Sequence, residues 1–440
     1  MSSGPAIASH HSRVPPSTAR HSPRCQPQER PMTTATESTG RTTPEWLSAL
    51  SADELDRQLT ADPYPIYARL RNEAPVTWVP QMQAWFVTRY DDLRAVASDS
   101  ATLHGAADPA QFATFGEGNV LSAEGEPHTE QRAFIDPQLR KRKVAGYIDP
   151  LVRPTAKRLI AELKDKGRAD IIPDYFEPVS VRALGDLLGL ESVDSDTLQR
   201  WFRVLGECLA AKNVDASGNL TNKDVIARAD VVKEEIRGVV LPIIERVTVT
   251  PDETSISHWV HDGTDTPRTA EELWPTMYVF LLGAMQEPGH SAGNTLTGLF
   301  TRPEQLAAVY ADRSLLPAAI EEGIRWISPI GALARVCVAP VTVAGKDFAP
   351  GDVVFGAMGS ANRDETRWED AESFDLNRPA QPHIGFSAGI HTCAGSHFGK
   401  AVAEVALDEL LTSFPDLAQD GDAVAHGWFF RAVQSLPVRW

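Results

Sequence analysis

A mainly α-helical chain with a small β portion is what this sequence predicts, on three observations. Residues 127–245 are dominated by apolar positions recurring at helical spacing, as in "PLVRPTAKRLIAELKDKG", "VSVRALGDLLGL", "DTLQRWFRVLGECLAA" and "ADVVKEEIRGVVLPIIERV". Further helical segments follow at "RTAEELWPTMYVFLLGAM", "PAAIEEGIRWIS" and "AVAEVALDELLTSF". The β-rich residues are gathered in one stretch, "ARVCVAPVTVAGKDFAPGDVVFGAM", which Gly and Pro break into short strands.

The elements follow in order. "DPYPIYARLRNEAPVTWVP" reads as a short helix then a strand, and "AWFVTRYDDLRAVAS" as a strand then a helix. Thr269 with Glu272 three residues later is a capping-box pattern that opens the helix through Met277–Met285. Pro288-Gly289 follows an apolar run and Glu287; proline inside a helix costs about 3 kcal/mol, so this long buried helix is expected to bulge there. A Gly-rich loop at 383–395 precedes the last helix.

The chain has 440 residues, enough for one large domain or two ordinary ones, with 42% hydrophobic residues and a formal net charge of −17. That acidity argues against general nucleic-acid or anionic-membrane binding but leaves room for a local basic patch. Cys25, Cys208, Cys337 and Cys393 are scattered, with no C-x-x-C pair, so a cytoplasmic, reducing setting is the expectation rather than a disulfide framework or a zinc site. No stretch approaches the roughly 18 apolar residues of a membrane span. Residues 1–45 are rich in Ser, Pro, Arg and Thr and read as a disordered N-terminal extension, with a single domain over 46–440. Met32 offers an alternative start, making 1–31 an upstream extension; an Arg- and Ser-rich, acid-poor start also has the composition of a transit peptide.

The chemistry-bearing loop is "HIGFSAGIHTCAGSHFGKAVAEV". Cys393 lies between glycines at a helix N-terminus, whose partial positive charge favours a thiolate. Taken alone it could be a nucleophile or a buried structural cysteine. Phe386, Gly389, His391, Cys393 and Gly395, however, form F-x-x-G-x-H-x-C-x-G, which resembles the haem-binding loop of the cytochrome P-450 superfamily. The resemblance implies a cytochrome P-450 fold, with haem b between a long distal helix and the loop, and Cys393 as the axial iron ligand. Glu322 and Arg325 give the E-x-x-R of that superfamily, with Arg378 at the position of its third, structural partner. His128 and Arg132 match its H-x-x-x-R and Arg335 its β-segment arginine; with His391 they are implied to hold the haem propionates. The distal helix of the superfamily carries A-G-x-[DE]-T. Ala284 and Glu287 match, while Met285 and Pro288 replace the glycine and the alcohol. The acid is thus kept for proton delivery to dioxygen, and a bulge at Pro288 leaves room for oxygen and a water in place of the lost hydroxyl.

"LLGAMQEPGH", "EPVSVRALGDLLGL", "SISHWVHDG", "TRPEQL" and "HGWFFR" narrow the resemblance, over about Trp46–Trp440, to the bacterial aryl-O-demethylase group typified by guaiacol O-demethylase. That implies O2-dependent removal of a methyl group from a lignin-derived methoxyphenol of the guaiacol, syringol or 4-alkylguaiacol class. Formaldehyde is released, and electrons come from NADH through a separate flavin and iron–sulfur reductase. No dinucleotide fingerprint or iron–sulfur cysteine set is present in this chain itself. The group's small aromatic pocket maps onto Phe115 and Phe430, with Leu209 at its third phenylalanine, and onto Leu121, Val279, Leu282 and Gly283. Leu333 replaces a threonine, in the segment "PIGALAR", which is one residue shorter. These changes imply a pocket reshaped for a ring substituent that guaiacol lacks. On the same fold, a peroxide-driven peroxygenase or an oxidative phenol coupler are the competing chemistries, and a non-catalytic haem sensor a third.

Overall fold

A computed structural model describes residue 1 and residues 40–105, 109–211 and 220–440. Cys25 and most of the expected extension lie outside these residues. Gly40–Trp440 forms one compact unit. Its boundary falls earlier than the expected residue 46. Arg41 pairs with Asp352 at 2.7 Å and stacks on Trp78, and Trp78 donates its backbone N–H to Thr42. The segment joins the fold because Asp352 is buried and needs a cation.

The β portion is one five-stranded sheet plus smaller pairings. Its strands are β1 (Val76–Val79), β2 (Ala84–Val87), β3 (Leu103–Gly105), β4 (Leu333–Cys337) and β5 (Val353–Gly356), in the order β1-β2-β5-β4-β3. Only β2 and β5 run parallel; the other pairs are antiparallel. β1 and β2 are buried along their whole length, matching their unbroken apolar and aromatic sequence.

The helices that build the site are α1 (Pro109–Phe115), α2 (Gly125–Leu139), α3 (Lys141–Leu163), α4 (Glu177–Leu188), α5 (Ser195–Ala210), α6 (Lys223–Val249), α7 (Ala270–Gly283), α8 (Glu287–Phe300), α9 (Leu316–Trp326) and α10 (Ser396–Ser413). Asp194 caps α5, accepting from the N–H of Thr197 at 2.8 Å. Glu272 accepts from the N–H of Thr269, fixing the start of α7 as its capping box predicts. α8 is the central rod, packed against α4, α9 and α10, and nearly every residue from Ser291 to Leu299 is buried.

The expected bulge at Pro288 is a complete break. α7 ends at Gly283, Ala284 turns out of the helix at φ −135°, ψ 3°, and a new helix starts at Glu287. Pro288 therefore sits in the first turn of α8, where its missing N–H has no intrahelical partner to lose. A second irregularity was not foreseen: Ile172–Phe176 form one turn of π-helix leading into α4. It docks on α8 at Gly289, where a side-chain Cβ would come within 2.6 Å of the Phe176 carbonyl oxygen.

Candidate active site

The Cys393 loop is held from three sides. The N–H of Cys393 donates to the carbonyl of Phe386 at 3.0 Å, closing the turn. Gly389 has φ +72°, and a Cβ there would meet the Ala97 carbonyl oxygen at 2.8 Å, so only glycine fits. Arg132 on α2 donates to the carbonyls of Ile390 and Thr392 at 3.0 and 2.9 Å and pairs with Asp136 at 2.6 Å. Nη1 is thus engaged by the loop backbone and Nε by Asp136. Beneath the loop, the ring of Phe386 lies against His383, with Lys400 5.4 Å from its centroid. Both side chains pair with Glu321, at 2.9 and 2.6 Å. Gly395 caps α10, and a Cβ there would lie 3.9 Å from the Cys393 sulfur.

The Cys393 side chain is accessible although protein surrounds it, as expected of a group lining an interior cleft. Burial pushes its thiol up, and the Gly395 N–H and the cations Arg132 and Lys400 offset this only in part. The helix N-terminus therefore does not by itself deliver the thiolate expected from sequence, because desolvation outweighs it. Coordination to a metal cation deprotonates a thiol outright.

His128, His391 and Arg335 converge beside the loop. The two imidazoles lie 4.6 Å apart, centroid to centroid. Burial, with His391 and Arg132 adding to it, pushes His128 down to about 4. Sequence reasoning missed Glu124, which sits among these groups. Its Oε1 takes His391 Nε2 at 2.9 Å and the Gly105 N–H at 2.7 Å. The available signal was its place four residues ahead of His128, at the N-cap of α2. His128 Nε2, Arg335 Nη2 and Glu124 Oε2 are buried without a partner among the described residues.

Across the cleft, Glu287 is the first residue of α8, and its Oε2 is buried and unpartnered. Burial pushes its carboxyl up, against His290 and the backbone N–H groups of the helix start. Of the pocket candidates, Phe115 on α1 and Val279 and Leu282 on α7 share one buried cluster, and Leu209 on α5 packs against it. Gly283, at the end of α7, faces open space: a Cβ there would meet nothing within 4 Å. Leu121 and Phe430 keep 43% and 37% of their surface exposed. Leu333 packs in the sheet cluster, where Leu93 and Leu333 both press on Gly356. It does so because β-strand alternation puts it on the same face of β4 as the buried Arg335 and Cys337.

Glu322, Arg325 and Arg378 meet away from the cleft. Arg325 grips Glu322 with two nitrogens at 2.7 and 2.8 Å, and Arg378 adds a third contact at 3.0 Å. Arg325 also donates to the carbonyls of Asn362, Ala371 and Ser373 at 2.8, 2.8 and 2.9 Å.

The family model for cytochrome P-450 matches residues 307–424. The chain is 30% identical over 408 residues to 6-deoxyerythronolide B hydroxylase of Saccharopolyspora erythraea, covering 86% of this chain and 96% of that one. It is 29% identical over 411 residues to the monooxygenase PikC of Streptomyces venezuelae, covering 89% and 94%. Among solved structures it superposes on HmtN, a post-tailoring hydroxylase involved in himastatin biosynthesis, with a TM-score of 0.72 and 26% identity, over 89% of this chain and 99% of that one. This chain belongs to the cytochrome P-450 family, and its mainly α fold with small sheets is that family's fold. The family's cofactor is a haem whose iron is ligated by a cysteine thiolate.

The residues present fit that group. Cys393 is accessible although protein surrounds it, and a buried imidazole nitrogen of His128 and a guanidinium nitrogen of Arg335 near the loop lack partners that carboxylates would supply. No helix among the described residues is long and apolar enough to cross a membrane.

Proposed function

We propose that this cytochrome P-450 monooxygenase O-demethylates a small methoxyphenol of the guaiacol, syringol or 4-alkylguaiacol class. What supports the reading is a carboxyl with a buried, unpartnered oxygen, Glu287, at the start of α8, together with Phe115, Val279 and Leu282 in an apolar cluster that Leu209 packs against and open space at Gly283. The reaction consumes one O2, two electrons and two protons. One oxygen enters the methyl C–H bond and the other leaves as water; the resulting hemiacetal releases formaldehyde and leaves a catechol. Bound haem supplies the oxygen activation.

The chain's own residues have separate tasks in this reading. Cys393 holds the iron, with Phe386 and Gly395 shaping its turn. His128, Arg335 and His391 face the propionates. Arg132 positions the loop, and Glu322, Arg325 and Arg378 hold the segment that leads into it. Glu287 carries a proton at the oxygen face, and the break at Ala284–Gln286, with Pro288 behind it, makes room there. Phe115 and Phe430 flank the ring, with Leu121, Leu209, Val279, Leu282 and Gly283 completing the wall. Leu333, on the face of β4 that carries Arg335, is a further lining residue. Electrons come from NADH through a separate flavin and iron–sulfur reductase, in the cytoplasm.

The test is a haem spin-shift titration with guaiacol, syringol and 4-alkylguaiacols, followed by formaldehyde assay. The expected result is saturable conversion to high spin by one of them and one formaldehyde per substrate consumed. A second reading is supported by the relative named 6-deoxyerythronolide B hydroxylase: hydroxylation of a compound of that kind. A shift with 6-deoxyerythronolide B and none with the methoxyphenols would select it.

A further inference from the structure

The turn from Phe176 to Ser180 docks on the helix break at three places, and one contact has no part in holding the haem. Ser180 donates to the Met285 carbonyl at 2.5 Å. Phe176 lies against Gly289, where no side chain fits. That close approach sets Glu177, the next residue, beside His290: Glu177 Oε1 is 3.4 Å from His290 Nε2. The two side chains keep 20% and 14% of their surface exposed, so water can reach the pair. His290 also lies three residues after Glu287 on α8, on the same helix face. Glu177 thus contacts His290, and His290 lies near enough to Glu287 to act on its carboxyl, whose Oε2 is buried and unpartnered.

We infer that Glu177 and His290 form a proton relay that feeds Glu287, and so take over supply from the alcohol that Pro288 displaces. The inference rests on the reading of Glu287 as the acid of the oxygen face. Each passage moves one proton and no electrons. A proton from water or Glu177 binds one imidazole nitrogen; the other nitrogen gives its proton to the Glu287 carboxylate; Glu287 passes it on toward the cleft. The imidazole then returns to its first tautomer by exchange with Glu177 or water. Imidazole suits this position because its two nitrogens accept and donate on opposite sides. The close contact at Gly289 fixes the geometry, since any larger residue would push Glu177 away from His290.

The experiment is infrared hydrogen–deuterium exchange of the holoenzyme. The C=O stretch of a protonated, buried carboxyl is assigned to Glu287 by its loss in Glu287→Gln, and its shift after mixing with D2O is timed. In His290→Phe the exchange is expected to slow on the order of 10²-fold, the low end of what a positioned acid–base group contributes. In Glu177→Gln, a partly exposed change that spares the core, it slows to a lesser degree, and in both variants more of the consumed O2 appears as peroxide. Unchanged exchange in both variants, with the Glu287 band present, overturns the relay and leaves the acid reading standing. A wild-type spectrum with no Glu287 carboxyl band overturns both.

Discussion

Ser180 donates its hydroxyl to the carbonyl of Met285, 2.5 Å away, and both residues are fully buried. The carbonyl belongs to the three-residue break between α7 and α8, which has no helical hydrogen bond of its own to offer it. A buried acceptor stripped of its donor costs about 1–3 kcal/mol. Ser180→Ala is expected to lower urea stability by that amount. Because the loss falls at the break, it should also broaden the haem spin equilibrium, which an optical spectrum reads directly.

Among the described residues, Glu322 is the carboxylate that pairs with both the buried Arg325 and the partly buried Arg378. Removing one member of such a buried set costs about 3–5 kcal/mol because the remaining charges lose their compensation. Glu322→Gln should therefore yield little folded protein, with haem content per purified chain far below wild type. Glu322→Asp, which keeps the charge, should recover part of it. Equal haem loading in wild type and Glu322→Gln would remove the structural role.

The raised carboxyl of Glu287 makes stability depend on pH. A carboxyl whose folded pKa lies above its unfolded value favours the folded state fully below the ordinary carboxylate range, and that contribution is lost as pH rises through the folded value. Glu287→Gln lacks this dependence. The variant should gain on wild type in urea unfolding as pH is raised from about 4 to 8, and the two curves should run parallel if Glu287 is an ordinary ionised acid.

Glu321 goes the other way. Burial pushes it up, but His383 and Lys400 outweigh that and take it to about 2. Its contribution is present above the ordinary carboxylate pKa and is lost as pH falls toward about 2. Glu321→Gln should therefore be less stable than wild type at neutral pH, by an amount that solvent screening of a half-exposed carboxylate keeps small, and should converge with wild type as pH falls below about 4.5.

Gly283 has no neighbour on its open side. Gly283→Val should fold with stability within about 1 kcal/mol of wild type. It should nonetheless abolish the spin shift with the bulkiest methoxyphenol that wild type accepts while sparing smaller ones. Loss of every shift, or of none, would move the substrate away from this face of α7.

The sequence made much of this visible because several features are local. The capping box at Thr269, the helix with Glu322 and Arg325, and the turn that closes on Cys393 each depend on a few neighbouring residues. Pro288 signalled a disruption, but its position inside a helical pattern suggested a bulge, whereas the chain ends one helix at Gly283 and puts the proline where the next begins. Leu333 reads as pocket lining from its match to a threonine position in the resembled group; its packing on Gly356 depends on a strand pairing that no local spacing encodes. Glu124 and Glu177 were illegible for a different reason. Each meets its partner across more than a hundred residues, and no local spacing encodes such a meeting.

Apart from Glu322 on its own helix, the fork of Arg325 reads main-chain oxygens, those of Asn362, Ala371 and Ser373. Any residue offers the same oxygen, so the segment is gathered without regard to its spelling. Related chains can therefore rewrite the letters between these positions, and even re-route the path, so long as three carbonyls still fall within reach of one guanidinium. What cannot drift is the arginine, which makes this part of the molecule rigid in its anchor and permissive in its text.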